Sequence, residues 1–253
     1  MEEKFKQLFI GGDLSGIQSF LYNISSKKAA VSLKGRSYYL QQYMENLSTR
    51  IKEVVSSAGA SNIDIIYCSG GKFYMLTEYS EEIVARIEKC IDDIKRDLWN
   101  EHMGQLGINI SYVPFTEHSD GTVDAIGQKY QKPGCLWKIV NSEFHKQKNQ
   151  KFKGILIDNY KEMFEPIPIG GKPKICSITG IESPDCVRMD VGDVEEKFVL
   201  PSVRQQIQLG EELRCQQHFK TFEDYADNSY LGILRMDMDN LGKRFVEGFG
   251  KSI

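Results

Sequence analysis

Two β-branched and aromatic runs, IDIIYC at 63–68 and FYMLT at 73–77, flank Ser69-Gly70-Gly71-Lys72, and no other feature limits the fold of this chain as strongly. Consecutive glycines supply the positive backbone angles of a tight turn, so the two runs are predicted to pair as an antiparallel hairpin. Long amphipathic stretches stand on either side. One runs from about 37 to 55, with Tyr38, Leu40, Tyr43, Met44, Leu47 and Ile51 at three- and four-residue spacing, and the other from about 80 to 98. Upstream lies a strand ending near Asp13 (QLFIGGD), then a short helix start (GIQSFLYNI) and a stretch of small and basic residues read as a loop (SSKKAAVSLKGRS). Downstream, a strand over about 108–113 precedes Pro114. The order β-α-β-β-α-β predicts an α+β fold of the ferredoxin-like type.

From about 116 to 225 the pattern weakens among glycines, prolines and charges, and a strongly apolar strand with a helix start, YLGILRMDMDNLGKRF, follows. The expected organisation is a first unit over 1–115, a small cysteine-containing unit over 116–225 and the beginning of another unit over 226–253. Composition excludes several classes. With 41% hydrophobic and 26% charged residues and no long apolar run, the chain reads as globular, without a membrane span. A net charge of -3 confines any nucleic-acid binding to a local patch. Six cysteines at irregular spacing, with no signal peptide, predict reduced thiols and a cytoplasmic protein.

The chemistry is concentrated in two segments that half-match each other, FIGGDLSGIQSFL and ILRMDMDNLGKRF. Both read as strand, then an acid, then a small turn residue opening a helix. Aligning Asp13 with Asp237 sets Ser15 opposite Asp239 and Gly16 opposite Asn240. Two carboxylates at a strand end beside free helix amides suit Mg²⁺ and the phosphates it carries, because their mutual repulsion is relieved by a cation. Asp237 and Asp239 can equally be a strand end and a helix cap. In palm-type nucleotidyl transferases and cyclases, acids on the neighbouring hairpin complete such a metal site. Here the hairpin tip carries Gly70, Gly71 and Lys72, so the first unit reads as catalytically degenerate, with glycine-lined space that suits contact with a nucleotide.

Taken together, GGDLSGIQSFLYNISSKKAAVSLKGRSYYLQ, GGKFYML, LGEELR and YLGILRMDMDNLGKRF resemble the large, palm-containing subunit of type III CRISPR effector complexes, especially the III-A (Csm) form. The resemblance implies a first palm, a small middle domain and the start of a second palm. It implies that ATP binds between the palms and that the second palm, with Mg²⁺ or Mn²⁺, polymerises it into cyclic oligoadenylate when target RNA is engaged in antiviral defence. Asp237 and Asp239 map onto the metal-binding catalytic positions, with the Met238 carbonyl as a further ligand. Asp13, Ser15 and Gly16 map onto the nucleotide-facing turn of the first palm. Lys34, Gly35 and Arg36 map onto a basic turn before the long helix, where phosphate or RNA contacts compete with a plain solvated loop. The implied partners are other subunits of the effector, with guide and target RNA reached through the complex.

Departures from the family pattern shape the expectation equally. None of the four histidines sits in a His-Asp pair, so the family's nuclease-like domain is not expected here, and the second palm ends before its Gly-Gly-Asp-Asp hairpin. This chain alone is therefore expected to be inactive as a nucleotidyltransferase. A non-catalytic scaffold and a nucleotidyl cyclase are the rival readings. Where relatives carry Cys-x-x-Cys zinc pairs, Thr179 occupies the second cysteine's place after Cys176, and Cys186 has no near partner, so the sequence favours a metal-free knuckle over structural zinc, even with Cys215 or His218 counted. The basic run 145–153 (HKQKNQKFK) is read as a solvated linker in preference to an RNA contact.

Overall fold

The computed structural model describes residues 5–23, 29–102, 104–158, 160–165, 174–189 and 197–217. Strand β1 (Gln7–Ser15) leads through a short helix α1 (Ile17–Tyr22) to the long helix α2 (Ala29–Ser57). The hairpin β2 (Ile63–Ser69) and β3 (Lys72–Glu78) precedes α3 (Glu81–His102) and β4 (Gly107–Glu117). Gly70 and Gly71 have φ of 58° and 78°, and Ser69 pairs with Lys72, so the turn is the two-residue one the glycines require. Helix α3 follows from its spacing: Ile83, Ile87, Ile91, Ile94 and Leu98 form one buried stripe, and the Ser80 hydroxyl accepts the Ile83 N–H to open the helix.

β1 is central, pairing antiparallel with β3 on one edge and β4 on the other, which gives the order β2-β3-β1-β4. The sheet does not stop near 115. β4 runs through Pro114 to Glu117, and two short strands, β5 (Val123–Ala125) and β6 (Gln128–Tyr130), extend the same sheet. One face is closed by α2 and α3 over Leu8, Ile10, Phe73 and Met75. The other is closed by α4 (Cys135–Lys148), whose Leu136, Val140 and Phe144 pack on Phe9, Tyr74 and Val113. Gly11 makes this close approach possible, because a Cβ there would stand 2.7 Å from Val140 Cγ1. The weak sequence pattern after 116 therefore hides the second half of one sheet's core.

Two short helices follow, α5 (Lys153–Asp158) and α6 (Tyr160–Phe164). A small cluster is then built from Cys176, Cys186, Met189, the two-stranded β7 (Val187–Met189) and β8 (Lys197–Val199), and α7 (Pro201–Gln217). α7 crosses α2 at two glycines: a Cβ on Gly35 would meet Gln206 O at 2.0 Å, and one on Gly210 would meet Val31 O at 2.1 Å. This crossing corrects the described part, from 29 on, of the loop expected at 25–37. Residues 29–36 are the first turns of α2, and Gly35 breaks their amphipathic pattern because backbone, not side chain, fills the contact. No helix among the described residues is long and apolar enough to cross a membrane. The expected start of another unit, 226–253, lies outside the described residues.

Candidate functional site

Alternation along β1 puts Phe9, Gly11 and Asp13 on the face that α4 covers. Asp13 is at the end of the buried strand, 5% exposed, and lies opposite Lys72 of the hairpin and Asn109 of β4. On α4, the stripe Leu136, Val140, Phe144 continues one turn further to Lys148. That last residue reaches the carboxylate: Lys148 Nζ is 2.6 Å from Asp13 Oδ2, and Lys72 Nζ is 3.9 Å from Oδ1. The Lys148 contact is one of charge, since Oδ2 has no aligned hydrogen-bond donor. The Asn109 amide donates to the Asp13 carbonyl at 3.2 Å, which fixes the backbone at this point. The two lysine side chains are 40% and 43% exposed, whereas that of Asp13 is 7% exposed.

The rest of the turn is committed to structure. Ser15 Oγ donates to Gly107 O at 3.0 Å, tying β1 to β4. Gly16 opens α1 with φ 90°, and a Cβ there would lie 2.2 Å from Gln105 O, so no other residue fits. The glycine-lined space expected from the sequence is filled. A Cβ on Gly12 would fall 1.9 Å from the Phe73 ring, and one on Gly71 would fall 2.2 Å from Ile17 Cδ1. The glycines admit neighbouring side chains and leave no open cradle.

Lys34 and Arg36 part company. Lys34 is exposed on α2, whereas Arg36 is 1% exposed beneath α1. Its guanidinium donates to Phe20 O at 2.5 Å and Asn23 O at 2.6 Å and lies over the Phe20 ring, 5.1 Å from the centroid. It closes the end of α1, whose last carbonyls have no helical partners. Burial lowers its pKa to about 10, with the Cys176 thiol opposing the shift. A phosphate or RNA role for Arg36 would require this lock to open, whereas Lys34 faces solvent on the same helix. Asp237, Met238 and Asp239 lie outside the described residues.

The cysteine knuckle holds two thiols. Cys176 and Cys186 are both buried in it, while Cys215 is exposed on α7. The Thr179 N–H donates to Cys176 Sγ at 3.5 Å, in the place a second ligand would take. Burial pushes the Cys176 thiol up, and N–H and hydroxyl donors from Thr179, with Leu200 and Ile178, more than offset it, leaving it below its ordinary value. Two thiols fall short of the four ligands that close a structural zinc site. Among the described residues no three His, Cys, Asp or Glu side chains converge to hold a metal ion.

Sequence reasoning missed Lys148. It lies 135 positions from Asp13, within a run read as linker, and the one local sign was its position next on the Leu136-Val140-Phe144 stripe.

Comparison with known proteins places the chain. The family model described as Csm1 subunit domain B matches residues 6–166. The chain is 26% identical over 241 residues to the CRISPR system single-strand-specific deoxyribonuclease Cas10/Csm1 (subtype III-A) of Enterococcus italicus, covering 91% of this chain and 28% of that protein. It is 30% identical over 172 residues to the protein of the same description from Methanocaldococcus jannaschii, covering 66% of this chain and 20% of the relative. Among solved structures, a Csm1-Csm4 cassette in complex with cA3 matches with a TM-score of 0.50 at 19% identity, covering 78% of this chain and 26% of that one. The chain thus spans less than a third of the length of these relatives. With the domain B model covering more than half of its residues, the chain belongs to the Csm1 family.

Proposed function

We propose that this chain supplies the ATP-holding palm portion of a type III CRISPR effector large subunit, which as a whole converts ATP into cyclic oligoadenylate on target RNA recognition. The observation that carries the reading is the end of β1, where Asp13 and the hairpin residue Lys72 meet on a sheet of order β2-β3-β1-β4. That order is the ferredoxin-like one of palm units, and the strand end beside the hairpin is where such units handle nucleotides. The palm unit is proposed to extend past 115 to take in β5, β6 and α4, since these complete its second face.

A metal does not fit the first unit. Its single buried acid is held between two ammonium groups, which repel a divalent ion. The first unit is therefore a nucleotide platform, and the proposed metal ligands are Asp237 and Asp239 with the Met238 carbonyl, on the sequence pattern. When bound there, Mg²⁺ or Mn²⁺ would polarise a phosphate and lower the pKa of an attacking hydroxyl. The proposed partners are a Csm4-type subunit, since one is named in the Csm1-Csm4 cassette, and guide and target RNA reached through the assembled effector.

The test is calorimetric titration of ATP into the 253-residue chain, with and without Mg²⁺, beside an Asp237→Ala/Asp239→Ala variant. The expected result is a metal-independent component that survives the double substitution. Binding lost entirely in that variant would sink the platform role, and no binding in either protein would favour a non-catalytic scaffold.

A further inference from the structure

The pair of lysines at Asp13 does more than neutralise a buried acid. We infer that Lys72 and Lys148 form a phosphate clamp, in which Asp13 holds the two ammonium groups in place until the polyphosphate of a nucleotide displaces it. This rests on the platform reading above and names the groups that would hold the ligand. The charge count favours an anion: two cations face one carboxylate, which leaves the site net positive. The exposures give the direction. Both lysine side chains keep about two-fifths of their surface in solvent while the Asp13 side chain is nearly fully covered, so an arriving anion meets lysine first.

Placement is built in at three levels. Lys72 is fixed in register opposite Asp13 by the hairpin. Lys148 is the last residue of α4, where the helix dipole favours a cation, and Gly11 lets that helix lie close enough to reach. Lys151 backs the same end of the sheet: its stem lies across Gly107, the partner of Ser15, and its ammonium donates to Gly104 O at 3.2 Å. A phosphate offers each ammonium group several oxygens with free lone pairs where Asp13 offers one oxygen apiece, so it can outcompete the carboxylate for both. Two cations converging on one carboxylate are spaced for one compact anion. A nucleic-acid strand would instead require a groove that tracks successive phosphates.

The sign of one substitution separates this arrangement from metal binding. If Asp13 held a metal for the nucleotide, Asp13→Asn would abolish binding; if Asp13 competes for the lysines, the same change strengthens it. ATP and inorganic tripolyphosphate are titrated separately into the 253-residue chain and into Lys72→Met, Lys148→Met and Asp13→Asn. Lys89→Met, on the exposed side of α3, controls for the loss of one charge, and circular dichroism melts establish that each variant is folded. The expected result is a loss of about tenfold for each lysine variant, with both ligands, and a gain of severalfold for Asp13→Asn. ATP binding that is unchanged in both lysine variants, or abolished in Asp13→Asn, overturns the clamp and leaves the platform reading standing. If neither ligand binds the unsubstituted chain, both fall together. Lysine-dependent binding of a short single-stranded RNA with no competition from tripolyphosphate overturns the nucleotide assignment.

Discussion

Replacing Lys148 by Met tests the electrostatic design of the β1 end without any ligand. Methionine keeps most of the apolar stem and removes the charge, leaving Asp13 buried with Lys72 at 3.9 Å as its remaining counter-ion. At an effective dielectric of about 20, the 2.6 Å contact carries roughly 6 kcal/mol of gross attraction and the 3.9 Å contact roughly 4 kcal/mol. Most of that offsets the desolvation of Asp13. Removing one member of a fully buried pair costs about 3–5 kcal/mol. Lys148 is 40% exposed, so solvent screening brings the expected loss to roughly 2–3 kcal/mol. The double variant Lys148→Met/Asp13→Asn removes the stranded charge and should recover to within about 1 kcal/mol of the unsubstituted chain. Urea unfolding of the four proteins at low and high salt reads the cycle directly, with the coupling shrinking as salt rises. A double variant as unstable as Lys148→Met would refute the reasoning, because the cost would then lie in stem packing and not in an unpaired carboxylate.

Gly35→Ala sets helix preference against packing. Alanine should gain about 1 kcal/mol inside a helix, but the new Cβ would face Gln206 O at 2.0 Å and Gly210 N at 2.8 Å, and backbone cannot rotate aside. Overpacking of this kind costs about 1–3 kcal/mol, so the net expectation is a lower thermal midpoint with α7 cleaved faster in limited proteolysis; a raised midpoint would show that the crossing is loose. His102 gives the pH dependence. Burial holds its pKa below the ordinary value, with Glu101 partly opposing, while its Nε2 lies 2.8 Å from the Tyr39 hydroxyl, which donates to Glu101. The unfolded chain therefore binds the extra proton first, and stability present above about pH 6.5 falls as the pH drops below it. The urea midpoint should decline between pH 7.5 and 5.5, and His102→Gln should flatten that decline; an equal decline in both proteins would assign it to other groups.

Legibility from sequence followed the range of the interactions. The hairpin was written in two adjacent glycines, and α3 in a regular isoleucine stripe, because neighbours along the chain settle both. The start of α2 was obscured because Gly35 and Arg36 answer to α7 and to the carbonyls closing α1, partners that no local pattern displays. β5 and β6 are three residues each, Gly127 separates them and Pro133-Gly134 precedes α4, and what joins all three to this core is the apolar face of Phe9, Tyr74 and Val113. At the site, the acid and the hairpin lysine Lys72 were visible, and the second cation was not. Asp13 stood out at the end of a buried strand, but Lys148 is brought to it by a helix docking more than a hundred residues later.

The central position of β1 also dictates the timing of synthesis. This strand is made before both of its partners, β3, ending at Glu78, and β4, ending at Glu117. Once the hairpin has emerged from the ribosome, one edge of β1 is paired while the other waits about 40 residues more, roughly 2–8 s at about 5–20 residues per second. During that interval Leu8, Phe9 and Ile10 sit at the rim of a three-stranded half-sheet, and the helix that covers Phe9 does not end until Lys148. The nascent chain thus spends seconds with a sticky, one-sided core, and trigger-factor-like holdases or slow codons between 79 and 148 would act on this interval more than on any other.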